Sequence, residues 1–446
     1  MNTPRPALFM RTVLVNCGPI AHLNDGSVGV LGGAQIDRVD DLIAKNHGIV
    51  IIDNVIEKII DSDELVAEFQ SVSSSEISSP QQIFQGEDLS IWDIAGRAVL
   101  PGFVDAHTHL LWAGDRSREV MWRQQGHSYS QIAEMGGGIG HTVGATRSAT
   151  TEQLLNLGTK RLRTALKSGT TMLEAKSGYG LDTETELRLL ECAKNLGSVV
   201  GMPDIDCTWL GAHATPPPNN DQSPNLSRED YVEELIDEQL PAIIQQGIAR
   251  SADVFCEPGW FTIDETERIA KASIDSGLAL RLHVDEFCDG GGMKLASDLG
   301  AVTADHAHHS PLESRLAAKE SRTLQGFLLG TPHSMGEPMP PVHTCVDNEI
   351  PFTIATDFNP NCPILSIPFI GNLAVQRCGI DPLTTLVAAT RNPATGMRRD
   401  DGLSQGVLKK GAIANINILS SKQWEAWCLQ PGESPIEMTF LHGSKV

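Results

Sequence analysis

The sequence lacks paired cysteines and long apolar runs. Its nine cysteines are scattered over 446 residues and form no Cys-x-x-Cys pair. An odd, scattered set argues against a disulfide framework or a thiolate zinc site and predicts reduced thiols in a reducing compartment. No window is apolar for the length that a membrane span needs. We therefore expect a globular protein without disulfides or a membrane-spanning segment.

Basic residues are also scarce, with 34 Lys and Arg against 56 Asp and Glu, for a net charge of −22. An acidic surface repels phosphate backbones and anionic lipids, so neither nucleic acid nor a membrane is the expected partner. An anionic small molecule would need a local cationic anchor. The apolar stretch near the start is short, interrupted by Arg11 and without a convincing cleavage site. These features predict no signal peptide and a cytoplasmic location.

Several nucleotide and hydrolase motifs are missing. There is no G-x-S-x-G sequence, which disfavours a serine hydrolase, and no Gly-Lys-Ser/Thr phosphate loop. The glycine-rich stretch "MGGGIGHTVGATR" (residues 135–147) does not follow the strand–GxGxxG–helix order. We expect it to be a flexible loop over a functional site.

From residue 98 onward, short apolar segments alternate with amphipathic ones, which is typical of βα units around a parallel sheet. Eight units predict an α/β fold of the (β/α)₈ TIM-like barrel type, with function at the carboxyl ends of the strands. The predicted strands are residues 98–107, 170–176, 206–213, 253–257, 278–286, 301–306, 324–330 and 351–357. The predicted helices include residues 151–167, 184–196, 231–248, 264–276 and 290–299.

Short β-like runs flank the barrel on both sides, within residues 11–62 and 408–421. They predict a small β-sandwich domain formed from both ends of the chain. The expected boundaries are residues 1–98 and 406–446 for the small domain and 99–405 for the barrel. Two polar stretches, residues 71–82 and 215–230, are expected to be loops.

Histidines and carboxylates cluster at the predicted strand ends. Asp105, His107 and His109 alternate along the first strand and therefore share a face. An isolated His-x-His is more often a structural pair, but here His283, Glu286, His306 and Asp357 end other strands. Strand eight closes beside strand one in a barrel, so Asp357 is expected near His107 and His109. Imidazoles with one carboxylate suit a divalent metal ion that keeps a position open for water. His308 and His309 are expected to be exposed loop residues, and His333 is expected in a loop.

The order of these motifs resembles the amidohydrolase superfamily: "PGFVDAHTHL", a histidine after strand five, a histidine after strand six and "TDFNP" after strand eight. More narrowly, "HTHLLWAGDR", "EAKSGYGL", "LGAHA", "LHVDE" and "ATDFNP" resemble its imidazolonepropionase family. That resemblance extends over nearly the whole chain. It implies metal-dependent hydrolysis of a cyclic amide C–N bond, opening 4-imidazolone-5-propanoate to N-formimidoyl-L-glutamate in histidine degradation.

The resemblance also implies roles for individual residues. One zinc or iron ion would be held by His107, His109, His283 and Asp357. Arg116 would anchor the substrate's propionate. The catalytic residues would be Glu286, His306 and Asp357. The ring would be surrounded by Tyr179, His213, Glu286, His306 and Asn359. Similar enzymes are commonly homodimers.

Structural interpretations remain open for several of these residues. Arg116 equally fits a salt bridge to Asp115 or Glu119, and Asn359 fits a turn before Pro360. Tyr179 could be a packing residue and His213 a hydrogen-bonded core histidine.

The sequence departs from the family at two places. Asn361 and Cys362, which we include among the substrate-binding candidates, stand where the family has Gly and a small hydroxyl residue. The segment "LLGTPHSMGEP" replaces a Leu-Pro-Gly element. An alternative is therefore a related amidohydrolase or aminohydrolase acting on another nitrogen heterocycle. A non-catalytic barrel scaffold would be expected to have lost metal ligands, which this sequence retains.

Overall fold

The computed structural model describes residues 10–69, 77–216 and 227–446. Of the predicted polar loops 71–82 and 215–230, residues 71–76 and 217–226 lie outside these ranges. The prediction was wrong at their ends, since Gln81 and Gln82 begin a strand and residues 228–230 begin a helix. The chain forms two compact units, one of residues 1–104, 165–171 and 366–446, the other of residues 105–164 and 172–365. The described strands are β1 (Arg11–Val15), β2 (Ile20–Ala21), β3 (Ile43–Ala44), β4 (His47–Ile52), β5 (Val55–Asp61), β6 (Gln81–Gln85), β7 (Leu89–Asp93), β8 (Val99–Pro101), β9 (Phe103–Asp105), β10 (Thr170–Lys176), β11 (Asp204–Ala212), β12 (Ser251–Cys256), β13 (Ala279–Val284), β14 (Thr303–His306), β15 (Leu324–Phe327), β16 (Phe352–Ile354), β17 (Ile416–Leu419), β18 (Ile436–Leu441) and β19 (Ser444–Lys445).

Helices separate the strands from β9 onward. The described α-helices are α1 (Val39–Leu42), α2 (Ser62–Phe69), α3 (Arg118–Gln124), α4 (Tyr129–Glu134), α5 (Gly138–Ser148), α6 (Thr151–Lys167), α7 (Thr183–Gly197), α8 (Arg228–Glu234), α9 (Leu240–Gln246), α10 (Ile263–Asp275), α11 (Gly292–Asp298), α12 (Leu312–Ser321), α13 (Gly330–Met335), α14 (Val342–Asp347), α15 (Ile367–Cys378), α16 (Pro382–Ala389) and α17 (Arg391–Thr395). A π-helical turn, Leu235–Gln239, joins α8 to α9, and Ile36–Arg38 and Trp424–Cys428 are 3₁₀ helices.

The predicted barrel is confirmed. Strands β9 to β16 neighbour one another in sequence order within one eight-stranded sheet. A parallel bridge between Thr108 and Phe358 joins the chain after β9 to the chain after β16. There the amide of Asp357 donates to the carbonyl of His107 at 3.0 Å, and the amide of His109 donates to the carbonyl of Phe358 at 2.9 Å. The first and last strand ends therefore lie side by side, as expected.

The unit that holds both ends of the chain contains a β-sandwich. Its five-stranded sheet has the order β5-β4-β1-β7-β6, and its six-stranded sheet has the order β19-β18-β17-β8-β2-β3. One buried apolar cluster includes Leu14 and Ile51 of the first sheet with Val99, Ile416 and Phe440 of the second. Burial of these side chains between two sheets drives their packing. In the second sheet, β17 pairs with β8 and β18, so both ends of the chain contribute.

Three local expectations were wrong. The predicted first strand, 98–107, is two strands in two sheets, since β8 pairs with β17 and β9 begins the barrel. The glycine-rich stretch forms helix α5 instead of a loop, because the Glu119 carboxylate accepts the amide of Gly138 (2.8 Å) at its start. Such a carboxylate stabilises a helix N-terminus without a side-chain cap. His333 lies in helix α13 and not in a loop.

Within the described ranges, no helix has the length and apolar character required to cross a membrane. All nine cysteines are described and carry free thiols.

Candidate metal centre and active site

Five predicted residues converge at the carboxyl ends of the barrel strands. His107 and His109 follow β9, His283 lies in β13, His306 ends β14 and Asp357 follows β16. Each is at least 94% buried. Strands that run in parallel carry these positions to the same end of the barrel. The structure therefore brings together four imidazoles and one carboxylate from four separate parts of the sequence.

The ligand atoms lie within the span of one metal ion. The Nε2 atoms of His107 and His283 are 3.1 Å apart. Asp357 Oδ1 is 3.6 Å from His107 Nε2 and 3.5 Å from His109 Nε2. Potential ligand atoms of His107, His109 and His283 all lie within 4.8 Å of one another. The same holds for His107, His306 and Asp357, so His306 is a possible ligand as well as a catalytic candidate.

Two carboxylates that the sequence analysis did not select orient these imidazoles. His107 Nδ1 is 2.8 Å from Asp305 Oδ2, and His283 Nδ1 is 3.1 Å from Asp253 Oδ1. A carboxylate on Nδ1 favours the tautomer whose Nε2 lone pair is available to a metal. Gly326 allows this arrangement, since a Cβ there would lie 2.1 Å from Asp305 Oδ1.

The polar atoms of the group fit a metal ion. Asp357 Oδ1 is buried without a hydrogen-bond partner among the described residues. The other oxygen of Asp357 accepts the hydroxyl of Thr331. A buried unsatisfied carboxylate oxygen is costly, whereas a cation beside it would satisfy it. Asp357 also adopts a positive φ of 50°, and such backbone strain is concentrated at functional sites.

Burial favours the neutral form of three of these imidazoles, those of His107, His109 and His306. Burial lowers the pKa of His107 and His109, and the nearby Lys176 ammonium lowers both further. Burial likewise lowers the pKa of His306 to about 3. Burial alone would raise the pKa of Asp357, but the histidines and Thr331 hold it below its usual range. Neutral imidazole and ionised carboxylate are the forms that bind a metal.

Glu286 lies beside this group on a loop held by another carboxylate. Glu286 Oε2 is 3.4 Å from His306 Nε2. Burial, followed by the charges of Asp357 and Glu257, raises the Glu286 pKa well above its usual value. Glu257 accepts the backbone amides of Glu286, Phe287 and Cys288 at 3.0 to 3.1 Å. Glu257 was not among the site residues predicted from the sequence. Its position at the end of the predicted fourth strand, where functional residues are expected, could have identified it.

Arg116 is paired with Glu119, one of the two structural alternatives. Its Nε donates to Oε1 at 2.7 Å and its Nη2 donates to Oε2 at 2.8 Å. Both side chains are buried, and both residues line the cavity described below. Two of the five N–H donors of the guanidinium group donate to Glu119 in this ion pair. The pairing orients the Arg116 side chain and lowers the net charge that it presents.

Tyr179 and His213 lie next to the metal candidates. The His213 ring stacks on His109 with centroids 5.0 Å apart, and the Tyr179 ring lies 5.1 Å from His213. His213 Nδ1 contacts the carbonyl of Gly178 at 2.9 Å. A carbonyl can only accept, so His213 carries its proton on Nδ1 and keeps Nε2 as an acceptor.

The segment after β16 is organised by Asn359. Its Nδ2 donates to the carbonyl of Asp357 at 2.8 Å, and its Oδ1 accepts the amides of Asn361 and Cys362. The Asn359 side chain thus builds the turn, as its structural interpretation proposed. Asn361 lines the cavity. Cys362 is fully buried with its thiol 3.6 Å from the Thr356 carbonyl and is not among the described residues that line the cavity.

A cavity of about 660 Å³ contains this site. Arg123 and His127, neither selected from the sequence, also line it, as do the stacked rings of Trp260 and Phe287. An adjacent cavity of about 400 Å³ shares Glu286 and His306 and reaches His308 and His309. His309 is exposed, as expected, whereas His308 is half-buried and the expectation of its exposure was wrong. The cavity therefore offers a planar aromatic wall, cations and the metal candidates to one small molecule.

The sequence profile of the amidohydrolase family matches residues 98–445. An imidazolonepropionase of Haloarcula marismortui is 36% identical over 93% of this chain and 92% of that protein. One of Shewanella sediminis is 38% identical over 78% of this chain and 81% of that protein. The crystal structure of a Xaa-Pro dipeptidase shares the fold, with a TM-score of 0.65 at 16% identity, covering 98% of this chain and 99% of that chain.

The chain belongs to the amidohydrolase family. Within that family its sequence is similar to imidazolonepropionases, so the predicted resemblance is confirmed.

Proposed function

We propose that the protein is a metal-dependent hydrolase that opens 4-imidazolone-5-propanoate to N-formimidoyl-L-glutamate, a step in histidine degradation. The relatives named imidazolonepropionase support this substrate. The observation that carries the chemistry is the convergence of His107, His109, His283 and Asp357, the last three of which line one cavity with Glu286. The reaction is hydrolysis of a C–N bond in a cyclic amide.

The residues are suited to a zinc or iron ion, since nitrogen-rich sets with one carboxylate suit both metals. A divalent ion held there would lower the pKa of water toward neutrality and polarise a carbonyl. The buried Asp357 Oδ1, which has no hydrogen-bond partner among the described residues, supports occupancy of the site.

Glu286 is the proposed proton carrier. The oxygen of water bonds to the ring carbonyl carbon, the ring C–N bond breaks, and the product gains a carboxylate. Glu286 takes the water's proton at a carboxylate oxygen and returns it to the departing nitrogen. A dication nearby would offset the raised pKa of Glu286, so that its carboxylate can act as a base. His306 Nε2, 3.4 Å from Glu286, faces the same reacting centre and stabilises the developing oxyanion.

The substrate's propionate requires a cation in the acidic protein. Arg116 is the proposed anchor, because a guanidinium can present parallel N–H donors to a carboxylate. Its bidentate pairing with Glu119 fixes its orientation before the substrate arrives. Tyr179, His213 Nε2 and the turn at Asn359 and Asn361 surround the ring in this arrangement. The backbone amide of Cys362 stabilises this turn by donating to Asn359 Oδ1, while its thiol faces Thr356.

The test is ring opening by the metal-loaded protein, followed as loss of the substrate's ultraviolet absorbance, for wild type and Glu286→Gln. Glu286→Gln is expected to lose about 10²–10⁴-fold in kcat with metal content unchanged. A wild type that carries stoichiometric metal but leaves the substrate intact would contradict the substrate assignment.

The alternative, an aminohydrolase acting on another heterocycle, predicts release of ammonia, whereas ring opening releases none. Ammonia measured against a panel of purines and pyrimidines therefore separates the two reactions. Two finer properties also belong to the proposal: a cytoplasmic location, supported by nine free thiols, and a homodimer, tested by light scattering.

A further inference from the structure

Beneath the metal candidates, the barrel interior holds a buried lysine, Lys176, on β10. Its side chain is fully buried. Its Nζ donates to Asp253 Oδ2 at 2.6 Å and to Glu174 Oε1 at 2.9 Å. A buried ammonium is stable only when it is paired, so these contacts are strongly constrained.

Asp253 links this lysine to a metal candidate. Lys176 donates to Asp253 Oδ2, and both oxygens of this carboxylate lie close to His283 Nδ1, Oδ1 at 3.1 Å and Oδ2 at 3.0 Å. His283 in turn places Nε2 at 3.1 Å from His107 Nε2. A continuous chain of contacts thus runs from Lys176 through one carboxylate to the centre of the ligand group.

Lys176 is not needed merely to neutralise Glu174. Arg281 lies 3.1 Å from Glu174 Oε1, and the Thr208 hydroxyl donates to the same oxygen at 2.5 Å. Asp253 differs from Glu174 in this respect. Among the ion pairs of the described residues, Lys176 is the one lysine or arginine that pairs with Asp253. The contact with a specific effect on the metal candidates is therefore the one between Lys176 and Asp253.

We propose that Lys176 is a positioning residue for the metal centre: by fixing the Asp253 carboxylate, it holds the His283 imidazole with Nε2 directed at His107. Carboxylates that orient ligand histidines influence metal affinity and geometry, and a carboxylate held by an ammonium has less freedom to rotate. The inference rests on the metal site of the proposed function but does not depend on the identity of the substrate.

The experiment measures Co²⁺ binding to the full chain, without substrate. Three variants are compared with wild type: Lys176→Met, the double variant Lys176→Met with Asp253→Asn, and Arg281→Met. Affinity is measured by chelator competition, ligand geometry by the visible absorption of Co²⁺, and folding by the thermal unfolding of the metal-free protein. Arg281→Met is the matched control, since it removes a buried cation of the same network, two residues before His283.

Lys176→Met is expected to lose at least about tenfold in Co²⁺ affinity, with an altered Co²⁺ spectrum. The double variant removes both buried charges and is expected to recover thermal stability without recovering affinity or spectrum. Arg281→Met should lose stability while its affinity stays near wild type. If Lys176→Met fails to fold, the double variant alone decides: wild-type affinity and spectrum would overturn the proposal. An equal loss of affinity in Arg281→Met would also overturn it, because any loosening of the barrel interior would then suffice. Wild type that binds Co²⁺ but leaves the imidazolone intact would refute only the substrate assignment.

Discussion

Arg116 and Glu119 form a buried bidentate pair in which Nε donates to Oε1 at 2.7 Å and Nη2 donates to Oε2 at 2.8 Å. The same carboxylate accepts the amide of Gly138 at 2.8 Å, at the start of helix α5. Glu119 therefore connects the proposed substrate anchor to the helix that replaced the expected loop.

This relationship predicts a loss of substrate affinity when either partner is changed. Arg116→Met should raise KM about tenfold or more while kcat changes little, because a charged hydrogen bond to the propionate is lost. Glu119→Gln should raise KM less, since the guanidinium keeps its charge but loses its fixed orientation. Steady-state kinetics checks both. Arg118→Met, which changes an exposed arginine of helix α3, next to Glu119, is the control. An unchanged KM in Arg116→Met would remove its role as anchor.

Glu257 is predicted to act by holding the loop that carries Glu286. In Glu257→Gln, the single amide oxygen cannot accept all three backbone amides of residues 286–288. We expect kcat to fall about tenfold, in line with a misplaced catalytic group, and faster hydrogen exchange at those amides. Glu337→Gln, an exposed residue lining the same cavity, should change neither quantity. Unchanged exchange in Glu257→Gln would show that the loop is held by other contacts.

Asp357 is predicted to determine metal retention. Asp357→Asn keeps one oxygen but removes the negative charge next to the imidazoles, so metal affinity should fall at least about tenfold. Because a ligand of the folded state raises stability according to its affinity, the rise in Tm on adding metal should be smaller in the variant. Thr331→Val, which removes only the hydroxyl donated to Asp357, should show a lesser effect. Equal metal-induced shifts in wild type and Asp357→Asn would exclude Asp357 as a ligand.

His308 is predicted to make the metal-free protein less stable in acid. Burial, followed by His309 and Arg315, lowers the pKa of His308 to about 4, whereas an unfolded histidine titrates near 6.5. Between these values the unfolded state binds the extra proton, so stability decreases as the pH falls from 6.5 toward 4. His308→Gln lacks this contribution, and its urea midpoint should therefore fall less than that of wild type between pH 7 and pH 4.5. Equal decreases in the urea midpoints of wild type and His308→Gln would contradict the prediction.

Much of the fold follows from the sequence because its signals are local. Alternating apolar segments predicted the eight barrel strands, and a 3.6-residue periodicity predicted helix α6 with the bounds that the structure has. The error at residues 135–147 has a non-local cause. Glycines normally disfavour a helix, and here a carboxylate from Glu119, distant in sequence, receives the first amide of α5.

The sequence by itself determined the barrel and the candidate group of His107, His109, His283, Glu286, His306 and Asp357, because histidines and carboxylates at the ends of parallel strands must meet at one end of a closed sheet. The choice of ligands within this group came from the family resemblance. Only the tertiary structure decided what supports them. Asp253, Asp305 and Lys176 are inward positions on separate strands, and no local pattern distinguishes such a charged side chain from a surface one. Which partners they meet depends on the register between strands, as does the pairing of Glu257 with the loop of Glu286. The tertiary structure thus determined the contacts that orient the chemistry, because these contacts join residues that only closure of the barrel brings together.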